Sequence, residues 1–298
     1  MPKGAPYRRY LVASYAENTR RAYETDVSHF KRWGGRIPAT PEQLSRYLAF
    51  YAGRLAYATL SRRISAIHRE HAARGLPSPA RSELVRATLR GIGRTYSRKQ
   101  RQVRPLLNEH LRRMLRYMRG SAGIRDRALL LLGFFGGFRR SELSALNTND
   151  LDQAPWGLSV VIRRSKTDQE GIGRRVKIPR VKSALCAVRA LKTWLKQRAA
   201  EGPLFVRVTP SGKATSHRIS GYTIAQIIKR RAGETGLNPE EFSGHSLRAG
   251  FITAAAKAGA ATWQIKQQTG HKSDAALARY IRGGDAVGVR VARLVGKR

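Results

Sequence analysis

A chain of 298 residues has room for one large domain or two ordinary ones, and its 41% apolar content excludes wholesale disorder. Lys and Arg number 58 against 19 Asp and Glu, a net charge of +39 spread along the whole chain, which calls for a polyanionic partner. Nucleic acid or an anionic membrane face would fit; nucleic acid is favoured because phosphate contacts release counterions along a groove. The lone Cys186 excludes an internal disulfide and a Cys-based zinc site. No run reaches the length of about 18 apolar residues needed to span a membrane, and the first residues lack the apolar stretch of a signal peptide. The expected compartment is therefore the reducing cytoplasm, beside the nucleoid.

Residues 14 to 96 carry helical periodicity only. Ser14 and Glu17 have the form of a capping box, and Ala22, Val27, Phe30 and Trp33 follow near helical spacing until Gly34-Gly35 stops the run. Thr40-Pro41 restarts a helix whose apolar stripe is Leu44, Tyr47, Leu48 and Tyr51. A third helix opens at Thr59, turns Leu60, Ile64 and Ile67 inward, leaves Arg62, Arg63 and Arg69 elsewhere, and ends at Gly75-Leu76-Pro77. A fourth is predicted from Pro79 to Ile92.

Arg94 to Arg104 holds five basic residues in eleven and little apolar content. It is expected to link two domains and to track DNA through Arg98, Lys99 and Arg101, a solvated charge run being the plainer reading. The expected domains are 1–97, a linker at 98–104, and 105–298.

Beyond the linker, Glu109 to Arg119 and Ile124 to Phe135 are predicted helices. Leu158 to Arg164 and Arg174 to Ile178 are predicted strands of a β-hairpin around the polar turn 167–171. Periodicity from Ser183 onward is mostly helical. Cys186, Trp194 and Trp263 are expected in the core.

Five short pieces stand out here. They are Gly137-Phe138-Arg139-Arg140-Ser141-Glu142-Leu143, Ser165-Lys166-Thr167, Ser243 to Gly250 with His245 and Arg248, Thr269-Gly270-His271, and Ala278-Arg279-Tyr280-Ile281-Arg282. In this order they resemble the tyrosine recombinase (phage-integrase) family, whose pattern is an Arg in G-x-R-x-x-E-L, a Lys on a hairpin, H-x-x-R, a Gly-His or Gly-Trp, and a Tyr about nine residues on. Each piece alone is weak; the ordered set is specific. The helix-rich start and Tyr280-Ile281-Arg282 are similar to the Cre-type members.

The resemblance implies a mainly α fold with a small antiparallel sheet, built as a two-domain clamp on DNA. It implies a catalytic set of Arg139, Lys166, His245, Arg248, His271 and Tyr280, with neither metal nor other cofactor. A tyrosine oxygen that stays bonded to phosphorus conserves the energy of the cleaved bond. Two guanidiniums suit the charge that builds on the non-bridging oxygens, and His245 and Arg248, three apart, share a helix face. Lys166 would give the leaving 5′-oxygen a proton; Lys177 on the second strand is its rival. His245 would take or relay the tyrosine proton, and His271 would bond a phosphate oxygen. Glu142 would orient Arg139 or hold His245 or its helix.

DNA contacts are expected from a helix at 59–70 through Arg62, Arg63 and Arg69, and from a helix at 220–231, where Tyr222 stands where Cre-type members place an Arg. The implied partner is double-stranded DNA with paired inverted-repeat sites, bound by a homotetramer that exchanges the C-terminal helix after Gly283-Gly284. A type IB topoisomerase and a non-catalytic DNA-binding protein are the rival readings.

Overall fold

A computed structural model of the chain describes residues 17–96, 103–163, 173–198 and 201–281. The chain divides into two compact units, residues 1–101 and 102–298. It is mainly helical with small antiparallel sheets, and among the described residues no helix is long and apolar enough to cross a membrane.

The first unit holds helices α1 (Glu17–Arg32), α2 (Pro41–Tyr51), α3 (Tyr57–Ala73) and α4 (Glu83–Tyr96). Each start and stop has a local cause. The Thr40 hydroxyl accepts the Gln43 amide ahead of Pro41, which needs no partner for a missing N–H. The predicted fourth helix begins later than its pattern suggested. Pro79–Arg81 is a single 3-10 turn, and the Ser82 hydroxyl then accepts the Val85 amide to start α4 afresh. Phe30, Leu44, Tyr47, Leu48, Leu60, Ile67, Val85 and Ile92 form the core, each contributing about 1.5–3 kcal/mol by leaving water.

A buried polar knot sits inside this core. Asp26 accepts from Arg62 through Nε at 2.7 Å and Nη2 at 3.0 Å, and Arg63 Nε approaches it at 3.5 Å. Arg63 Nη1 also donates to the Tyr47 hydroxyl at 2.9 Å. Arg63 is therefore not a DNA-facing residue, contrary to expectation: it is 8% exposed, because the carboxylate and phenol draw its head inward from the α3 face that packs on α1.

The second unit opens with α5 (Asn108–Tyr117), α6 (Gly120–Phe135) and α7 (Arg140–Ala145). A three-stranded antiparallel sheet follows in the order β1 (Leu151–Ala154), β2 (Gly157–Ile162), β3 (Arg174–Pro179). Then come α8 (Ala187–Arg198), a two-stranded ribbon of β4 (Val206–Val208) and β5 (Ala214–Arg218), and helices α9 (Gly221–Gly233), α10 (Ser246–Lys257), α11 (Thr262–Thr269) and α12 (Asp274–Ile281). The core runs through α6, whose Leu129 to Leu132 are wholly buried, as the all-round apolar second half of this helix requires. Trp194 is buried on α8 with its indole N–H donated to the Leu204 carbonyl at 2.8 Å, and Cys186, the residue just before α8, is buried too.

Trp263 corrects a second expectation. It is 64% exposed at the start of α11, where Ile265 and Thr269 take the buried face. Two features fix the frame around the site. Asp126 on α6 is fully buried and accepts from Arg125 and, across to α9, from Arg230 and Arg231. Gly250 on α10 lies so near the chain at Leu106 that a Cβ there would meet the Leu106 carbonyl oxygen at 2.0 Å. Only glycine allows that crossing.

Candidate active site

The site begins where α6 ends. Gly137 takes a left-handed φ of +58°, turning the chain so that Arg139 falls at the start of α7 in an extended conformation. Glu142, three residues on, reaches back. Its carboxylate accepts the Arg139 backbone N–H at 2.9 Å and the Arg139 guanidinium at 2.6 Å. The G-x-R-x-x-E spacing is thus a helix start that also aims an arginine. Of the roles open to Glu142, orienting Arg139 has these two contacts behind it.

A second guanidinium reaches the same carboxylate. Arg174, the first residue of β3, donates from Nη2 to Glu142 at 2.9 Å and from Nη1 to the Gln268 carbonyl at 2.9 Å. Sequence reasoning missed this residue. Its signal was the alternation of β3: Arg174, Val176 and Ile178 share one face, while Arg175 and Lys177 share the exposed one. Gln268 completes the tie by donating its side-chain amide to the carbonyls of Phe135 at 3.0 Å and Lys177 at 3.1 Å.

Arg248 comes from the first turn of α10 and is 2% exposed. Its Nη1 donates to the carbonyls of Gly137 at 2.7 Å and Thr269 at 2.6 Å, and its Nη2 lies 3.1 Å from both ring nitrogens of His271. The Thr269 hydroxyl donates to the Ile265 carbonyl at 2.6 Å, so it must accept from His271 Nδ1 at 2.8 Å. That network assigns the Nδ1–H tautomer and leaves the Nε2 lone pair for Arg248. Gly270, left-handed at φ +70°, closes α11 and delivers His271; a Cβ there would stand 2.7 Å from Arg174 Nε.

The guanidiniums dominate the electrostatics. Burial, then the charge of Arg139, pushes Arg248 down to about 9. Burial, then Arg248, Arg139 and Arg174, pushes the His271 ring down to about 3, so it is neutral at pH 7. Burial lowers Arg174 as well.

Tyr280 lies on α12, its ring centroid 6.2 Å from that of His271 and within electrostatic reach of Arg248. It packs against the small apolar cluster of Ile252, Ile265 and Leu277, which carries α12 on α10 and α11.

Arg139, Glu142, Arg248, His271 and Tyr280 are therefore gathered, and Arg174 joins them. His245 precedes α10 directly, is exposed, and donates its backbone N–H to the Ser243 hydroxyl at 3.2 Å. Lys166 lies outside the described residues. Its rival Lys177 is exposed, with Nζ 5.8 Å from the Trp156 ring centroid at the β1–β2 turn. Of the residues expected on DNA, Tyr222 is 70% exposed in the first turn of α9. Arg62 is half exposed while paired with Asp26, and Arg69 is half-buried over the Tyr23 ring. Arg98, Lys99 and Arg101 lie outside the described residues, as does the C-terminal helix expected after Gly283-Gly284.

The fold is that of tyrosine recombinase catalytic domains. It matches the crystal structure of a lambda integrase(75-356) dimer bound to a COC′ core site with a TM-score of 0.67 at 19% identity, covering 94% of this chain and 95% of that one. A lambda integrase tetramer bound to a Holliday junction matches equally, with a TM-score of 0.67 over 94% of this chain and 77% of that one, at 19% identity. Residues 104–286 match the phage integrase family. The chain is 38% identical to an integrase/recombinase xerD homolog of Selenomonas ruminantium over 290 residues, 93% of this chain and 85% of that one. It is 24% identical to the recombinase cre of Escherichia phage P1 over 287 residues, 89% and 81% of the two. The chain belongs to the phage integrase family and is a tyrosine recombinase.

Proposed function

We propose that this protein breaks and rejoins double-stranded DNA at two inverted-repeat recognition sites, exchanging strands through a 3′-phosphotyrosine at Tyr280 and a Holliday junction. One observation carries the reading: the mostly buried guanidiniums of Arg139 and Arg248 converge with His271 beside a tyrosine. A tyrosine beside two guanidinium forks is suited to attack a phosphodiester whose negative charge those forks stabilise.

In the proposed step the Tyr280 oxygen bonds to phosphorus and loses its proton to His245, while the P–O5′ bond breaks and Lys166 protonates the leaving oxygen. A 5′-hydroxyl from the partner strand reverses the step. The phosphotyrosine keeps the bond energy, so neither metal nor ATP enters. His271 Nε2 accepts from Arg248 in this geometry. A phosphate anion beside the ring opposes the guanidiniums, raises the ring's pKa and favours the doubly protonated form, which can donate to a phosphate oxygen.

A homotetramer exchanging its C-terminal helices would hold two sites at once. Its support is the neighbouring lambda integrase fold, which occurs as a tetramer on a Holliday junction.

The test is covalent trapping. Purified protein is mixed with a library of duplexes nicked near the cleavage position, beside Tyr280→Phe. The expected result is a denaturant-resistant protein–DNA adduct absent from the variant, whose DNA gives the site on sequencing. Tight DNA binding with no adduct from any duplex would move the reading to a non-catalytic DNA-binding protein.

A further inference from the structure

Arg174 is the one member of the cluster for which the motif order supplies no role. Both Nη atoms are committed: one to the Glu142 carboxylate, one to the Gln268 carbonyl, two residues before Gly270. Its Nε is buried, bonds no described group, and lies over Gly270. Its charge sits 5.9 Å from the Phe138 ring centroid. One side chain therefore ties the carboxylate that aims Arg139 to the end of α11, from which His271 projects. It also starts β3, paired with Ile162 at the end of β2, and Lys166 falls between these two residues in the sequence.

The charge count points the same way. Arg139, Arg174 and Arg248 set three guanidiniums around the single carboxylate of Glu142. Among the described residues, these four side chains carry an excess of two positive charges. A phosphodiester carries one negative charge. When a phenolate attacks, the five-coordinate phosphorus carries two, until the 5′-oxygen leaves with its proton. Two guanidiniums with the carboxylate would match the diester; the third matches the species midway. Only interactions stronger in the transition state than in the ground state raise the rate.

We propose that Arg174 is a positioning residue for strand cleavage: it holds Glu142 and the His271 turn in register and supplies the third positive charge, which matches the site to a dianionic phosphorus. This rests on the recombinase reading above.

The test compares Arg174→Met, which keeps an apolar stem, with Arg174→Lys, which keeps the charge but can reach only one of the two anchors at a time. On a nicked duplex identified by wild-type trapping, the adduct rate at saturating DNA is expected to fall roughly 10- to 100-fold in Arg174→Met. DNA affinity and melting temperature should stay close to wild type, and Arg174→Lys should recover part of the rate. In parallel, calorimetry with inorganic phosphate at pH 8, where it is dianionic, should show binding weakened by roughly tenfold in Arg174→Met.

An adduct rate unchanged in Arg174→Met overturns the proposal. So does a parallel loss of rate, DNA affinity and melting temperature that lysine does not relieve, for that would make Arg174 a scaffold only. If the wild type forms no adduct yet binds phosphate through Arg174, the recombinase reading fails and the anion-site role of Arg174 stands. Absence of both signals overturns both.

Discussion

Asp126 and Glu142 are each a buried carboxylate among three arginines, yet the two groups are built to different ends. Around Asp126 the charges close on protein. Arg125 also reaches the Val206 carbonyl at 3.3 Å, Arg231 also bonds Glu234 at 2.8 Å, and Arg230 extends to solvent. The buried cations there, Arg125 and Arg231, are matched by Asp126 and Glu234. Around Glu142 the mostly buried guanidiniums of Arg139 and Arg174 share one acid, Arg248 lies beside them on backbone carbonyls and His271, and no second acid is bonded to any of the three among the described residues. An uncompensated buried charge is costly to keep. Its presence in one cluster and not the other fits the phosphate site proposed above on one side and a knot that holds helices together on the other.

That contrast can be broken most directly at Asp126. Asp126→Ala strands buried guanidiniums, and urea denaturation should show a loss of about 3–5 kcal/mol, enough to unfold much of the second unit. A variant that stays as stable as wild type would mean that the knot is not structural. Arg139→Met should do the opposite. Adduct formation is expected to fall roughly 100- to 1000-fold, while stability changes by no more than about 1 kcal/mol, because relief of like-charge repulsion offsets the lost bond to Glu142. Stopped reactions on trapped duplexes and a urea curve on the same sample would check both halves. A large stability loss would erase the distinction.

Acid should sharpen the comparison further. The His271 ring titrates near 3 in the folded protein against an ordinary 6.5. Between these values the unfolded chain binds the extra proton, so the stability due to the neutral ring is full above pH 6.5 and is lost as pH falls toward 3. One group can contribute a slope of at most about 1.4 kcal/mol per pH unit, less what solvent screening removes. Melting curves from pH 7 to pH 4 should therefore fall less steeply for His271→Gln than for wild type. Parallel curves would show that the guanidiniums do not press on the ring. The smallest effect is expected at Arg62→Ala, about 0–1 kcal/mol by thermal melting, since Arg62 is half exposed and Arg63 remains beside Asp26. A loss above about 2 kcal/mol would mean that Arg62 belongs to the buried part of its knot.

The helices were legible because long amphipathic runs carry their period and their caps: Thr40-Pro41, Ser220 and the Gly34-Gly35 stop all mark real boundaries. The β2–β3 pair showed in its β-branched residues. β1 and the β4–β5 ribbon did not, since Leu151–Ala154 offers one large apolar side chain and Val206–Val208 is three residues long. Chemistry was legible as the order of short pieces along the chain. Which side chains share a pocket was not. Arg174 stands next to Arg175 in an Arg-rich chain, and only the two-residue period of β3 separates them. Arg63 and Arg62 are similarly adjacent, and Asp26, 37 residues upstream of Arg63, decides which of them turns inward. Trp263 carries no stripe around it to say which way it faces.

Gly270 has one more consequence, for how this sequence can vary. Its left-handed turn disfavours a side chain, and the head of Arg174 fills the space where one would go. In a library randomised at both positions, glycine should dominate at 270 whenever 174 is arginine. Asn or Ala at 270 should survive only beside a shorter residue at 174. Two positions 96 apart in the chain would then drift as a pair.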